Sequence, residues 1–270
     1  MNNMNTIRIQ KMQQVISLRD GKPVFLNLPD ADTEVMPSVP WGNFAAVFTP
    51  AFWATQAWME MIDIRDKPGL GETLIEEVVA CLLGGHGAPA EVGLAAYDRV
   101  REYLQKNGAG LSLAEAEALL SEPLSVRGRT VHYRFAKQRA RYLHGCLSGL
   151  STIDEGSLAD RELRDSLCQL PGVGPKTASW VVRNRRRSDN VAILDVHIIR
   201  ACSQIGVFPA KANPATDYFG LERKYLNFSS AIGVRASILD AVMWKIMRSV
   251  HPRVIQTLIN YQNRGPVYPH

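Results

Sequence analysis

The sequence predicts a mostly α-helical protein with a short β-hairpin near its N-terminus. From residue 41 onward, apolar residues recur at three- and four-residue spacing in one segment after another, and the breaks between segments are short. Ahead of these segments, residues 15–18 and 24–28 flank Asp20-Gly21, a pair typical of a hairpin turn. The pattern therefore predicts an N-terminal extension over residues 1–40 and a helical region over residues 41–270.

The predicted helices follow one another along this region. They cover residues 50–63, 71–83, 89–106, 112–120, 130–150, 157–168, 175–184, 196–205, 214–226 and 236–249. Pro29, Pro37 and Pro40 place a loop between the hairpin and the first helix. Ser157 is the expected N-cap of the helix that starts there.

The composition excludes several classes of protein. The chain is 46% hydrophobic and 21% charged, as in ordinary globular proteins, and no apolar run approaches the length that a membrane helix needs. Residues 1–14 are polar, so no secretory signal is expected. Cys81, Cys146, Cys168 and Cys202 lie outside any metal-ligand spacing. We expect reduced thiols in a cytoplasmic protein, with neither a zinc site nor a cysteine-ligated iron–sulfur cluster.

Positive charge is concentrated in two parts of the chain. The net charge of +5 mildly favours a polyanionic partner. Between residues 123 and 153 there are six cations and no acid: Arg127, Arg129, Arg134, Lys137, Arg139 and Arg141. A second cluster contains Arg183, Arg185, Arg186 and Arg187. Either cluster alone is equally well explained as a solvated surface, but together they favour a surface that follows phosphates.

Residues 170–176, Leu-Pro-Gly-Val-Gly-Pro-Lys, separate two predicted helices. Pro171 ends the first helix, Gly172 and Gly174 permit a tight hairpin, and Pro175 suits the first turn of the second helix. The unpaired N–H groups at the start of that helix form an anion site, for which a DNA phosphate is the expected ligand. By itself, this motif predicts only non-specific duplex binding.

Two residues add chemistry to the motif. Lys176 directly follows the hairpin, a position that suits an amine nucleophile. Asp195 comes nineteen residues later, after the apolar residues 191–194. Each has an ordinary alternative when taken alone, since Lys176 can bind a phosphate and Asp195 can cap a helix.

Residues 170–176 followed by Asp195-Val196-His197 resemble the helix–hairpin–helix DNA glycosylase superfamily, most closely its 8-oxoguanine DNA glycosylase branch. The strong match covers residues 157–206, with a helix–hairpin–helix over 157–184. The resemblance implies a two-lobed helical fold with its active site in the cleft between the lobes. The lack of a cysteine cluster argues against the endonuclease III and adenine-glycosylase branches.

The resemblance implies a role for each matching residue. Lys176 would be the nucleophile that forms a Schiff base, and Asp195 would support the reaction. Gly172, Val173, Gly174 and Arg183 would contact DNA. His197 matches a phosphate-contacting histidine of the family, although a surface histidine at a helix start is an equally ordinary explanation.

The resemblance also implies a cation at the hairpin. In related glycosylases, carbonyls equivalent to those of Cys168, Leu170 and Val173 hold a metal ion. Carbonyl oxygens suit a hard cation, so a monovalent ion could link the hairpin to a phosphate. No cofactor is otherwise expected to be required.

The pocket for the damaged base is expected to involve three further residues. Trp180 lies one turn beyond Lys176, and Asp240 and Trp244 are four apart on a predicted helix. That helix resembles the pocket-lining helix of 8-oxoguanine glycosylases, with an acid and a Trp as in archaeal members rather than the Gln and Phe of the eukaryotic type. The two tryptophans would sandwich a purine, and Asp240 would accept a hydrogen bond from its Watson–Crick edge. Tryptophans on amphipathic helices are also common in cores.

One segment departs from the family. Members often place Gln or Asn after the helix that corresponds to residues 73–83, where they fill the gap left by the extruded base. Here the sequence reads Leu-Gly-Gly-His-Gly over residues 83–87, which makes His86 the candidate for that role.

The resulting expectation is a monomeric glycosylase and AP lyase that acts on oxidised guanine in double-stranded DNA, with no membrane partner. Two alternatives stay open: a glycosylase for another modified base, and a non-catalytic helix–hairpin–helix DNA-binding protein. Lys176 together with Asp195 distinguishes the enzyme from the binding module.

Overall fold

The computed structural model describes residues 11–60, 69–84, 87–251, 253–255 and 257–258. The chain divides into two compact units, of which unit 1 comprises Met1–Arg65 with Leu194–His270 and unit 2 comprises Asp66–Ile193. The unit boundary therefore differs from the division at residue 40, because the N-terminal strands share a unit with the C-terminal helices.

The strands and helices follow the predicted order closely. In chain order they are β1 (Gln13–Arg19), β2 (Lys22–Leu28), β3 (Glu34–Met36), β4 (Val39–Pro40), α1 (Pro50–Glu60), α2 (Leu74–Leu83), α3 (Ala90–Asn107), α4 (Leu113–Ser121), β5 (Leu124–Val126), β6 (Arg129–Val131), α5 (Ala136–Leu150), α6 (Asp160–Leu167), α7 (Pro175–Arg186), α8 (Val196–Gln204), α9 (Tyr218–Ala231) and α10 (Ala236–Ser249). The mostly helical class and the N-terminal hairpin are confirmed. Within the described residues, no helix is both long enough and apolar enough to cross a membrane.

In unit 1, β1 and β2 form the predicted antiparallel hairpin. Asp20 and Gly21 occupy its turn with φ of 48° and 74°, the left-handed conformations that a two-residue hairpin turn requires. The loop expected after the hairpin contains a short antiparallel pair, β3 with β4. Helix α10 packs against α1, α8 and α9.

In unit 2, the predicted helix over residues 130–150 is too long at its start. Helix α5 begins at Ala136, and the preceding residues form a hairpin of β5 and β6. The turn of this hairpin places Arg127 and Gly128 at φ of 50° and 72°. An Arg-Gly turn is a weaker sequence signal than Asn-Gly or Asp-Gly, so the sequence pattern does not reveal that residues 129–131 belong to a hairpin rather than to the helix.

The predicted cap of α6 is wrong. The Ser157 hydroxyl donates to the Asp154 carbonyl instead of capping the helix. Helix α6 begins three residues later, where the Glu162 carboxylate accepts the Ala159 N–H at 2.8 Å. A carboxylate in the first turn thus takes the role that the sequence assigned to a serine hydroxyl.

Two other helix limits differ from prediction. Helix α9 begins at Tyr218 rather than at residue 214, because the Asp217 carboxylate accepts the Gly220 N–H at 3.1 Å and fixes the start there. It then continues to Ala231. The last residues of the helix predicted over 50–63 lie outside the described residues.

The core of unit 2 is built around α2, which packs against α3, α5 and α7. Residues 78–83 are all buried there. The buried Glu77 carboxylate accepts the N–H groups of Leu70 and Gly71 at 2.8 and 2.9 Å, and the Asn184 side-chain amide at 2.7 Å. A buried charge is tolerated when it is hydrogen-bonded in this way, and these bonds fix α7 to α2 and to the preceding loop.

Candidate active site

The hairpin of residues 168–174 joins α6 to α7 and lies against α5. Gly172 has φ of 76°, and a Cβ at this position would overlap the Tyr142 ring. The Gln138 side chain donates to the Tyr142 hydroxyl at 3.1 Å, and the Val173 side chain is buried. Glycine is therefore required at position 172 by both its conformation and its contact with α5.

Gly145 and Gly149 of α5 lie directly against Pro171 and Leu170 of the hairpin. A Cβ at Gly149 would lie 2.6 Å from the Leu170 side chain, and one at Gly145 would lie 2.8 Å from Pro171. The Cys146 thiol donates to the Pro171 carbonyl at 3.0 Å, and burial raises the pKa of this thiol to about 12, which keeps it protonated. Gly145 and Gly149 are site residues beyond those predicted, and the signal for them is two glycines four residues apart on a helix, a spacing that indicates a groove for close packing.

The start of α7 presents backbone and an amine. Gly174 is exposed, and nothing lies within 4 Å of a Cβ added to it. Pro175 occupies the first helical position, and the intrahelical ladder begins with the Ala178 N–H bonded to the Gly174 carbonyl at 2.9 Å. The N–H groups of Lys176 and Thr177 precede that ladder and can donate hydrogen bonds to an anion. Lys176 is partly exposed, and its amine has no hydrogen-bond or ion-pair partner in the described part of unit 2.

Trp180, one turn after Lys176, lies at the edge of the unit 2 core. It is partly buried, and a Cβ at Gly84 would lie 3.6 Å from its ring. The ring therefore stands beside the C-terminal end of α2. His86, two residues further on, lies outside the described residues, so its role stays a prediction.

Asp195 is the N-cap of α8. Its Oδ1 accepts the N–H groups of His197 and Ile198 at 2.8 and 3.0 Å. Both bonds use the same oxygen, which orients the carboxylate and leaves Oδ2 outside the cap. The Nδ1 atom of His197 is buried without a hydrogen-bond partner among the described residues.

Asp240 and Trp244 lie one turn apart on α10 in different environments. Asp240 is only 3% exposed, whereas Trp244 is 42% exposed. The Arg248 guanidinium stands 4.2 Å from the centre of the Trp244 ring. Lys245 bonds Glu60 of α1 at 2.8 Å and ties α10 to the neighbouring helix. Trp244 is therefore a surface aromatic that already stacks with a flat cation, not a core residue.

Two arginines of the second cationic cluster, Arg185 and Arg186, are bound to acids of unit 2. Arg185 binds both oxygens of Glu155 at 2.9 and 3.0 Å and donates to the Glu72 carbonyl at 2.7 Å. The bonds to Glu155 raise the pKa of Arg185. Arg186 binds Asp160 at 3.1 Å. These two arginines are satisfied within unit 2 because Glu155, in the segment before α6, and Asp160, the first residue of α6, reach them.

The site residues fall into two groups along the chain. Unit 2 contains the hairpin with Lys176, Trp180 and the partly buried Arg183, and unit 1 contains Asp195, His197, Asp240 and Trp244. Within unit 1, α8 and α10 pack together, so Asp195 and Trp244 are on neighbouring helices.

The segment that contains Lys176 and Asp195 is similar to known proteins. The family model for 8-oxoguanine DNA glycosylase, of the helix–hairpin–helix type, matches residues 65–234. The 8-oxoguanine DNA glycosylase/AP lyase of Metallosphaera sedula is 33% identical over 127 residues, which are 46% of this chain and 62% of that relative. The enzyme of the same name from Sulfurisphaera tokodaii is 26% identical over 132 residues, 47% of this chain and 64% of that relative. The matched segment thus spans less than two thirds of each curated relative.

Solved structures agree on the fold. The 8-oxoguanine DNA glycosylase of Methanocaldococcus jannaschii is 21% identical, with a TM-score of 0.57 over 74% of this chain and 95% of that one. Its complex with a 15mer DNA containing 8-oxoguanine gives a TM-score of 0.51 over 74% of this chain and 91% of that one, at 20% identity. Since the family model covers more than half of the sequence, including Lys176 and Asp195, the chain belongs to the 8-oxoguanine DNA glycosylase family of helix–hairpin–helix proteins.

Proposed function

We propose that this protein is a DNA glycosylase and AP lyase that removes oxidised guanine from duplex DNA through a Schiff base on Lys176. The observation that carries the proposal is the amine of Lys176, which follows the exposed Gly174 backbone and has no partner in the described part of unit 2. A module that only binds phosphate could use the N–H groups and the charge of Lys176, but it gains nothing from Lys176 together with Asp195. Relatives named 8-oxoguanine DNA glycosylase/AP lyase support the same activity.

The proposed reaction begins at C1′ of the damaged nucleotide. The bond from C1′ to the base breaks, its electron pair leaves with the base, and the Lys176 nitrogen forms the new bond to C1′. The Asp195 carboxylate, held by its cap bonds, offsets the positive charge that develops at C1′ or takes the proton that the amine loses.

The lyase step follows from the imine. The bond between C1′ and the ring oxygen opens, that oxygen takes a proton, and a protonated imine joins Lys176 to the sugar. The imine acidifies the 2′ hydrogen, and its removal expels the 3′ phosphate, which cleaves the strand. Water then releases the sugar from the lysine. An enzyme that used only water as its nucleophile would not need Lys176.

Duplex DNA would be held by the hairpin. The backbone of Gly172, Val173 and Gly174 and the first N–H groups of α7 would bind a phosphate, with further contacts from Arg183 and His197. No group of His, Cys, Asp and Glu side chains among the described residues could hold a metal ion. A monovalent cation would therefore depend on backbone carbonyls of Cys168, Leu170 and Val173. The Leu170 carbonyl accepts the Val173 N–H at 3.1 Å and keeps a second lone pair, which is compatible with such a site.

The damaged base would stack on Trp244. Its exposed ring and the neighbouring Arg248 form a surface to which a flat base can add. Asp240 would accept a hydrogen bond from the base, and Trp180 would supply the second ring. Exposure of Trp244 on a helix that packs against α8 favours this assignment over a core role.

The experiment is borohydride trapping on duplexes that contain 8-oxoguanine. We expect the wild-type protein to form a covalent adduct and to cleave the strand, and Lys176→Gln to do neither while it still binds duplex DNA through the hairpin backbone. Lys224→Gln, which alters an exposed lysine of α9, is the matched control and should react as wild type.

Other outcomes of the trapping experiment separate the alternatives. An adduct with Lys176→Gln would assign the chemistry to another amine. Trapping on other modified bases but not on 8-oxoguanine would favour a different substrate. Duplex binding by the wild-type protein without any trapping would identify a non-catalytic binding protein.

A further inference from the structure

Helix α5 carries two exposed cations on one face, Lys137 and Arg141. They are four residues apart, so they lie about 6 Å apart along the helix axis and point to the same side. Neither has a hydrogen-bond or ion-pair partner in the described part of unit 2. Arg127, by contrast, pairs with Glu91, so it is not part of this row.

The row runs beside the hairpin of residues 168–174. Arg141 immediately precedes Tyr142, whose ring covers Gly172. Gly145, one turn after Arg141, receives Pro171. The side of α5 next to the row is therefore the side on which the hairpin rests, and the anion-accepting start of α7 follows that hairpin directly.

No nearby acid neutralises the row within the described part of unit 2. Residues 168–174 contain no Asp or Glu, and neither does α5. On the other flank, α4 carries Glu115 and Glu117. The Glu115 carboxylate is bonded to Ser112 and to the Tyr103 hydroxyl, and these bonds lower its pKa to about 2. Neither acid of α4 forms an ion pair with α5 in the described residues.

We propose that Lys137 and Arg141 form a second phosphate-binding row that binds the backbone of the same duplex that the hairpin holds. Two cations on one helical face, next to a surface of exposed N–H groups, extend the positive surface further than a single small anion needs, as binding to a strand with several phosphates requires. The row makes no sequence-specific contact and adds affinity for any duplex. This inference rests on the proposed function only in taking duplex DNA as the ligand.

The test is the salt dependence of binding to an undamaged duplex, followed by fluorescence anisotropy between 50 and 200 mM salt. Each phosphate contact contributes about 0.9 to the slope of log K against log salt concentration. We expect Lys137→Ala/Arg141→Ala to reduce the slope by about 1.8, and each single variant by about half of that. Lys137→Arg/Arg141→Lys keeps both charges and should keep the slope.

The matched control is Arg19→Ala/Lys22→Ala, which removes two exposed cations from the ends of β1 and β2. It loses the same net charge and should leave the slope unchanged. Circular dichroism melting should show that both double variants fold as wild type, since all four side chains are exposed.

An unchanged slope in Lys137→Ala/Arg141→Ala would overturn the proposed row while leaving the glycosylase assignment intact. An equal reduction in the control would assign the effect to net charge and would also overturn it. A wild-type protein that binds no duplex would overturn the proposed function itself, so the two failures are distinguishable.

Discussion

The two ends of α7 carry similar residues and differ in what surrounds them. At the start, Gly174 is open to solvent and Lys176 has no partner in the described part of unit 2. At the end, Arg185 and Arg186 bind Glu155 and Asp160. We therefore expect positive charge to serve the ligand at the start of the helix and the stability of unit 2 at its end. A cation that an acid of the same unit reaches stabilises the fold, and a cation without such an acid is available to a ligand.

The difference between α5 and the end of α7 has the same cause. The segment before α6 contributes Glu155 and α6 contributes Asp160, whereas the hairpin beside Lys137 and Arg141 contributes no acid. Two clusters that look alike in the sequence are thus expected to behave differently. Three predictions test this division, beginning with the largest expected effect.

At the start of α8, Asp195 is the helix cap and also the proposed catalytic carboxylate. Asn caps a helix about as well as Asp, so Asp195→Asn should leave the melting temperature nearly unchanged. Loss of the carboxylate charge should lower the single-turnover rate of base excision by at least about a hundredfold, the scale of losing one electrostatic stabiliser. Asp195→Ala should show the same loss of rate and also lose about 1 kcal/mol of stability. Preserved excision by Asp195→Asn would restrict this residue to the cap.

At the end of α7, Arg185→Ala should destabilise the protein by about 2 kcal/mol, measured by urea unfolding, because it removes charge-assisted hydrogen bonds to Glu155 in a partly buried setting. The side chains of Arg185 and Glu155 are 23% and 26% exposed, so solvent replaces only part of the lost interaction. The salt slope for duplex binding should not change. This is the reverse of the result expected for Lys137→Ala/Arg141→Ala. A changed slope with unchanged stability would show that Arg185 binds DNA after all.

Trp180 and Trp244, the two candidate pocket tryptophans, also differ in whether the ring packs in the fold or is open to a ligand. Trp244→Ala should weaken binding to lesion-containing duplex by about 1–3 kcal/mol, the value of one base–aromatic stack. Binding to undamaged duplex and the melting temperature should change little, since the ring is exposed and phosphates dominate non-specific binding. Trp180→Ala is the comparison variant, and it should lower the melting temperature because that ring packs on the core. Equal weakening by Trp244→Ala on both duplexes would remove this residue from the pocket.

Local signals in the sequence determined much of the fold. Apolar spacing located the helices, and Asp20-Gly21 located the N-terminal β-hairpin. The glycine- and proline-rich residues 170–176 located the hairpin between α6 and α7. The cap at Asp195 was also readable, because a capping residue and the N–H groups that it binds are near neighbours in the chain. The resemblance to the family was readable from residues 170–176 and 195–197, whereas the family model matches the longer segment 65–234.

Tertiary structure alone decided which charges and rings are available. Arg185 meets Glu155 thirty residues away, and the Tyr142 ring covers Gly172 from another helix. Trp180 is partly buried and Trp244 exposed, although both stand on amphipathic helices. A periodic pattern gives the face of a helix but not the element that covers it. The partner of a side chain comes from a distant part of the chain, so only packing settles whether that side chain supports the fold or faces the ligand.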